Sequence, residues 1–450
     1  MRQKTRKTKA YTRFKNCRAC GSVAVSRVVD LGEMPLARGF IPASVRNLNK
    51  EKTYPLRLLF CTKCYLLQAD VSIRPDTLFK YYYYRSSVIK TLVRHFDGIA
   101  ALLARKLGKT KERFVVEIGC NDGSFVKAAL KRGFRALGVD PATNLVSPLI
   151  KKGMPIVNDY FTTAVAQSIA KKHGKADVIF SSNTLAHIED INDVFSGIAL
   201  LLKDDGMLIF EVHYLGSLLE ETQYDMIYHE HQYYYSALSA GTLLARHDLE
   251  LFDVERVPIH AGSVRFYAQK RGVGARQKSA RLKRLVAAEK RKRYNSLDAY
   301  RMLGRRIADS KKELVQLLTG LKKKGKVLAG YGASGRATII SNYCKLGGLI
   351  DRVIDDSPLK QGTRMPGTHS RVVSSDILYE QRRAREMQKH TFAFPSRGAR
   401  KPLVYGSGAP DYVVLFAWAF LDEIRKKHKK FLARGGRFIV PLPRVKTIAR

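Results

Sequence analysis

Between about residue 90 and residue 270, short apolar runs alternate with segments whose apolar residues recur at helical spacing. FVVEIGC is followed by SFVKAALKRG, then by RALGVD, DVIFSSN and GMLIFEVH. Strand-length runs separated by amphipathic helices predict an α/β fold with a parallel sheet. A second alternation of the same kind opens at 326 with KVLAGYGASGRA and closes on DYVVLFAW and RFIVPLP. Between the two, residues 275–325 read as long charged helix, a helical connector whose irregular heptads leave a coiled coil as the alternative. Residues 14 to about 75 carry the short strand-like runs SRVVDLG and YPLRLLFC, and 381–409 reads as an exposed basic insertion. The expected organisation is a basic tail at 1–13, then domains at 14–88 and 89–272, the connector at 273–325, and a last domain at 326–450.

Composition adds a charge argument. The 450 residues hold 81 Lys and Arg against 39 acidic residues, a formal +42. An excess of that size attracts polyanions, or marks a solvated surface biased to Lys and Arg. The charge is scattered and no RNA-recognition module is visible, so nucleic acid is the less favoured partner. No run of ~18 apolar residues predicts a transmembrane helix. The basic opening has no apolar core of a secretory signal, so a cytoplasmic, monomeric protein without membrane attachment is expected.

Four of the six cysteines fall in two Cys-x-x-Cys pairs, CRAC at Cys17 and Cys20 and CTKC at Cys61 and Cys64. Two such turns facing each other make a closed tetrahedral sulfur cage, which favours a structural zinc ion over disulfides. Cys120 and Cys344 are expected in the core.

VVEIGCNDGSF sits between an expected strand and an expected helix, and Asp140 ends the next strand at GVD. Gly119 and Gly123 let the backbone approach a ligand, and an acid placed like Asp140 suits ribose hydroxyls. Glu117, Asn121 and Asp122 would repel a pyrophosphate there and favour a cationic ligand with an amino-acid tail, such as S-adenosylmethionine. Asp159 and Phe161 in NDYF are candidates to hold an adenine, and Asn183 is assigned to the same cofactor.

YDMIYHEHQYYYS at 224–236 packs two histidines, a glutamate and five tyrosines into thirteen residues. The His-Glu-His could hold a metal, move a proton, or only fold. It lacks the H-E-x-x-H spacing that faces two histidines together on a helix, so metal binding is the weaker option. It follows the strand GMLIFEVH, where sheet topology delivers loops to a ligand crevice, and His187 follows the preceding strand. His231, His187, Glu230 and Tyr228 form a plausible proton-moving group.

The series CxxC, CxxC, EIGCNDG, NTLAH, YDMIYHEH, GYGASG and DSPLKQGTRMPGTH resembles the sugar-nucleotide C-methyltransferases, across about 14–445. The resemblance implies a small N-terminal zinc-binding domain, a central Rossmann-like domain that binds S-adenosylmethionine, and a second Rossmann-like domain at the C-terminus. It implies methylation of a carbon, C-3 of a 4-keto sugar or alternatively C-5, on a thymidine diphosphate carrier. His231 would be the general base, supported by Glu230 and Tyr228, with His187 facing the substrate. The tyrosines of YYYYRSS resemble a motif that closes over the cofactor, with Tyr84 ahead of Tyr82 as the contact. The loop GASGRA and the basic insertion depart from the family pattern. GYGASG is also a literal G-x-G-x-x-G with Asp351 about 20 residues on, as in a nicotinamide-binding unit. The resemblance implies instead a domain that keeps the fold and helps hold the nucleotide sugar, with Arg336 and Lys360 as candidate phosphate contacts. The alternatives are an RNA methyltransferase, favoured by charge alone, and an inactive zinc-organised binding protein.

Overall fold

The computed structural model describes residues 10–82, 84–273, 276–380 and 408–449. The basic insertion falls outside the described residues except for Gly408 and Ala409, and so do the first nine residues of the tail. The chain divides into two compact units: Met1–Asp30 with Leu56–Glu220 and His229–Gly304, and Leu31–Pro55 with Glu221–Tyr228 and Arg305–Arg450.

The chain begins with short strands: β1 (Tyr11–Arg13), β2 (Val25–Pro35), β3 (Thr53–Cys61), β4 (Leu67–Ala69) and β5 (Val71–Ile73). Tyr11–Arg13, read from sequence as tail, pair antiparallel with β5, Tyr11 opposite Ile73. Alternation of Thr and Arg around one aromatic is too short a pattern to signal a strand by itself.

The larger sheet of this unit contains β6 (Phe114–Ile118), β7 (Arg135–Val139), β8 (Ile156–Val157), β9 (Ala176–Ser182) and β10 (Leu202–His213). After the short β11 (Tyr233–Tyr234), β12 (Leu249–Val257) and β13 (Ser263–Lys270) complete it. The order is β12-β13-β10-β9-β6-β7-β8. Strands β6 to β10 are mutually parallel, and β13 is antiparallel to both β10 and β12. The chain leaves β6 toward β7 on one side and reaches β9 on the other, so a crevice opens beyond the carboxyl ends of β6 and β9.

Helix Lys90–Leu107 covers one face of this sheet with Leu92, Phe96, Ile99, Ala100 and Leu103, spacings that keep one apolar stripe inward. The stripe packs with Phe125, Val126 and Ala129 of helix Ser124–Lys131 and with Phe180 and Ile209 of the sheet. Among the described residues no helix is long and apolar enough to cross a membrane.

The expected connector is two helices, Ala280–Arg291 and Leu297–Lys323. The chain breaks between them where Arg293 takes a positive φ of 61° and Tyr294 turns inward, its carbonyl accepting the Tyr300 hydroxyl at 2.7 Å. Burying those two tyrosines decides against one continuous helix.

The second unit holds β14 (Leu328–Tyr331), β15 (Arg352–Ile354), β16 (Arg371–Val373), β17 (Tyr412–Leu415), β18 (Arg437–Val440) and β19 (Lys446–Ile448). Their order is β16-β15-β14-β17-β18-β19, parallel except for β19. This is a second Rossmann-like sheet, and its strand order reverses at β14.

The amino ends of the central strands of the first unit are tied by Asp177, at the start of β9. Its carboxylate accepts from the Phe114 amide at 2.8 Å, Arg113 Nη1 at 2.9 Å and Lys203 Nζ at 2.9 Å, joining β6, β9 and β10. Burial works to raise the pKa of this carboxyl, but the three donors outweigh it and hold it below its ordinary value. Asp177→Asn should therefore cost about 2 kcal/mol at pH 7. A depressed folded-state pKa gives stability that is complete above the unfolded value of ~3.9 and fades as pH falls through the folded value. Melting curves of both proteins should differ fully at neutral pH and converge below about pH 4. A gap that stays constant down the acid range would assign the loss to shape and not to charge.

Candidate active site and metal centre

The two Cys-x-x-Cys turns fold alike. The Cys17 amide donates to Ser22 and the Gly21 amide to Cys17, while the Cys61 amide donates to Leu66 and the Tyr65 amide to Cys61. Both turns need a left-handed residue four places after the first cysteine, Gly21 at φ 74° and Tyr65 at φ 62°. The four Sγ atoms lie within 4.8 Å of one another, with Cys17 to Cys64 at 3.4 Å and Cys20 to Cys61 at 3.7 Å. A tetrahedral zinc with bonds of about 2.3 Å puts its sulfurs roughly 3.8 Å apart, so the cage fits that ion and leaves no position open.

At the carboxyl end of β6, Gly119 has φ 76°, and a Cβ there would lie 2.0 Å from Thr184 Oγ1 in the loop after β9. Only glycine permits that approach. Asp140 Oδ2 accepts the Asn121 amide at 2.7 Å and Oδ1 accepts the Ala142 amide at 2.8 Å, which joins the turns after β6 and β7. Glu117 is 3% exposed, and its Oε2 has no hydrogen-bond partner among the described residues. Burial, and then the neighbouring Asp140, push its carboxyl well up; burial also raises Asp140. A buried, unsatisfied carboxyl beside two further acids fits a cationic ligand and opposes a pyrophosphate.

Asn121 and Asp122 do something that sequence reading missed. Asn121 Oδ1 accepts the Ser86 amide at 3.0 Å and its Nδ2 donates to the Tyr84 carbonyl at 3.0 Å, while Asp122 Oδ2 accepts the Ser87 amide at 2.9 Å. Asn144 grips Tyr82 through both its amide and its carbonyl, each at 2.9 Å. The tyrosine segment is thus sewn to the glycine turn along its backbone. Tyr84 packs against the core cluster of the unit. Tyr82, ranked second from sequence, sends its phenol to Glu230 Oε2 at 3.3 Å.

Asn158 Nδ2 donates to the Asp140 carbonyl at 2.9 Å, which seats the loop after β8. Asp159 is exposed there, and Phe161 is buried with its ring edge over Gly197 of helix Ile191–Leu201. The Tyr160 hydroxyl, not singled out from sequence, donates to Asp76 at 3.1 Å. Asn183 takes a positive φ of 54°, and its Nδ2 donates to Ser182 Oγ at 3.1 Å.

His187 and His231, 44 residues apart in sequence, have ring centroids 5.0 Å apart. His187 also stacks on Phe79 at 5.8 Å, and His231 lies edge-on to Tyr234 at 6.1 Å. The two loops are joined by the Gln232 amide, which donates to the Ala186 carbonyl at 2.7 Å. His231, Glu230 and His229 are all buried. The four-cysteine cluster is the candidate metal group among the described residues, and these histidines are not in one.

Tyr228 belongs to the second unit, where it is buried. In that unit Asp225 is fully buried and accepts Arg336 Nε and Trp418 Nε1, each at 2.8 Å. Lys360 Nζ donates to the Ala333 carbonyl at 2.6 Å and to Asp355 at 3.2 Å. Both cations proposed for phosphate are therefore already neutralised within the unit. Asp351 precedes β15 at its amino end, and the acids that close that strand are Asp355 and Asp356. Counting 20 residues from the glycine turn therefore selected an acid at the wrong end of the strand.

The sulfur cage should hold one zinc per chain, read by elemental analysis of protein purified with its thiols protected. Cys61→Ser should lose that zinc and lower the melting temperature. A zinc-free native protein, or a Cys61→Ser protein with a full complement, would contradict the site.

Three family models tile the chain: a zinc binding domain over 17–79, a methyltransferase domain over 90–254, and a C-methyltransferase C-terminal domain over 258–385 and 401–443. Shorter similarities reach a methyltransferase of Geobacillus sp. (strain WCH70), 26% identical over 26% of this chain and 51% of that protein. The ubiquinone biosynthesis O-methyltransferase of Bartonella quintana (strain Toulouse) is 31% identical over 21% of this chain and 38% of its own length. The C-methyltransferase NovU of Streptomyces niveus is 32% identical over 434 residues, 96% of each chain. A match of that depth, running almost end to end in both proteins, makes this chain a member of the zinc-binding C-methyltransferase family, enzymes that draw their methyl group from S-adenosylmethionine.

Proposed function

We propose that the enzyme methylates the carbon next to the ketone of a nucleotide-linked 4-keto deoxysugar, C-3 in preference to C-5, on a thymidine diphosphate carrier. The observation that carries this reading is the pair of half-buried His187 and buried His231, their ring centroids 5.0 Å apart beyond the sheet that bears the acidic glycine turn. A C–H bond is not nucleophilic until its proton leaves, and an adjacent ketone allows that by taking charge as an enolate. Such chemistry calls for a base and a partner for the oxyanion, with no metal at the reacting carbon.

His231 is assigned as the base, histidine being the side chain that most often takes up a proton in general-base catalysis. Glu230, in reach of the Tyr82 phenol, supports the imidazolium that results. His187 and Tyr228 are assigned to orienting the ketone or stabilising its oxyanion, and His229 to holding the loop. S-adenosylmethionine supplies an electrophilic methyl group on a sulfonium. Glu117, with Gly119, Asn121, Asp122 and Gly123 shaping its turn, is assigned to the methionine end, Asp140 to the ribose, and Asp159, Phe161 and Asn183 to the rim around the adenine. Tyr84 is assigned to holding the segment over that rim.

His231→Asn should abolish methyl transfer to a panel of thymidine diphosphate 4-keto sugars while S-adenosylmethionine still binds. Exchange of the sugar's α-hydrogen in deuterated water, followed with S-adenosylhomocysteine present, should fall by about 10² to 10⁴. His229→Asn should cost far less. Normal exchange in His231→Asn would transfer the role to another group, His187 or Tyr228 first.

The raised carboxyl of Glu117 gives a separate test of the cofactor end. Without ligand Glu117 holds its proton up to its raised pKa, and a bound cation favours the carboxylate, so binding should release a proton. Affinity for S-adenosylmethionine should then tighten as pH rises toward that pKa and level off above it. Calorimetry in two buffers of different ionisation enthalpy reads the released proton directly. Glu117→Gln should abolish the release and weaken binding about tenfold or more at the higher pH. Binding without proton release in the unmodified protein would show that Glu117 does not meet the cation.

A further inference from the structure

Arg18 is the residue after the first cysteine of the sulfur cage, and its side chain leaves the cage entirely. Nη1 donates to Gln232 Oε1 at 2.6 Å, and Nη2 donates to the carbonyl of Glu189. Gln232 follows His231 directly, and its own side-chain amide donates to the His229 carbonyl. Glu189 lies two residues after His187, and its carbonyl also accepts the Tyr233 hydroxyl at 2.9 Å. One guanidinium therefore holds the loop of each histidine, and its plane lies over the Tyr233 ring at 4.8 Å.

The base of this connection is rigid. The Arg18 amide donates to Gln68 Oε1 at 2.8 Å, and Gln68 Nε2 donates to the Asn16 carbonyl at 2.9 Å, so one fully buried side chain brackets Cys17 on both sides. The Arg18 carbonyl accepts Asn192 Nδ2 at 2.7 Å. Gln68 lies on β4, and β4 pairs antiparallel with β11, Tyr233 opposite Gln68 and Tyr234 opposite Leu67. The strand that follows His-Glu-His is thus an added edge on the sheet that carries the cysteine turns. A planar, always charged fork with two acceptors on two different loops fixes their separation better than neutral contacts would.

We propose that Arg18 is a positioning residue for the methyl-transfer site, coupling the sulfur cage to the spacing of His187 and His231. The proposal rests on the reading that these histidines act at the substrate. Zinc, when bound, then fixes the turn from which Arg18 reaches, and its contribution extends beyond the stability of the N-terminal domain. A histidine displaced by about 1 Å loses roughly 100-fold in rate, so the expected signature lies in kcat with KM little changed.

The test uses the full-length, zinc-loaded protein carrying Arg18→Met, with Gln232→Leu as a second cut of the same connection away from the thiolates. Zinc content and S-adenosylmethionine affinity should stay at the unmodified values in Gln232→Leu. In both variants kcat for methyl transfer and for α-hydrogen exchange, measured with thymidine diphosphate 4-keto sugars, should fall about 100-fold. Amide hydrogen exchange over 229–236 should speed up in both, a readout that needs no substrate. Added guanidinium should restore part of the rate to Arg18→Ala and nothing to Gln232→Leu. Normal kcat and normal amide protection in Gln232→Leu overturn the proposal, and so does a change confined to KM. If His231→Asn exchanges normally, the base assignment fails, while the amide protection of Arg18→Met still decides whether the connection exists.

Discussion

β6 lies between β7 and β9, and the chain departs from it to one side and returns on the other. A parallel strand order that reverses at one strand leaves a gap that no crossover helix covers, and loops from three strand ends converge on it. The Asn121, Asp140, Asn183 and His187 turns meet there for that reason and for no local one. The reversal is kept rigid from the opposite end of the sheet by Asp177, which ties β6, β9 and β10 through a single buried carboxylate. It is sealed above by Asn121, Asp122 and Asn144, which hold Tyr82, Tyr84, Ser86 and Ser87 through backbone bonds. Side-chain amides and carboxylates gripping a backbone fix its path whatever the side chains of that segment are.

The two Rossmann-like sheets of this chain share strand order around their first strand and differ in electrostatics. In the first, acids cluster at the turn, with one Glu117 oxygen left without a partner and the carboxyl pushed toward its neutral form by burial. A site of that kind waits for a cation. In the second, each cation near the glycine turn already has an anion, Arg336 with Asp225 and Lys360 with Asp355. A charge that is paired internally offers less to a phosphate than a free one does, since the existing pair must be broken first. The same backbone turn thus carries an incompletely bonded acid in one sheet and paired charges in the other.

Zinc in this family is structural, and the four sulfurs leave no coordination position for a substrate. The cage is nevertheless bonded outward to the loops that carry His187 and His231. Its turns are extended by β11 and by Arg18 into the loops that carry the histidines. Arg18 spans two loops that have no other charged tie between them among the bonds described above.

The amino-acid sequence by itself determined the fold class, because apolar periodicity and glycine turns are local signals. It determined the zinc ligands too, since two Cys-x-x-Cys turns carry their geometry in four residues each. The acidic character of the glycine turn was also legible, since Glu117 and Asp140 are placed by strand ends alone. The ranking of Tyr84 ahead of Tyr82 rested on the resemblance, because a segment without regular structure gives no period to say which ring faces inward. Counting along the chain also chose Asp351, on the wrong side of a strand only three residues long. The short β1 and the break between the connector helices arise from pairing and burial with residues far away in sequence. The tertiary structure alone decided that Asn121 and Asp122 grip the tyrosine segment, how closely His187 approaches His231, and that Arg18 reaches both of their loops. Each of these is a contact across 35 to 214 residues of chain, and its free energy exists only once the sheet has brought its strand ends together.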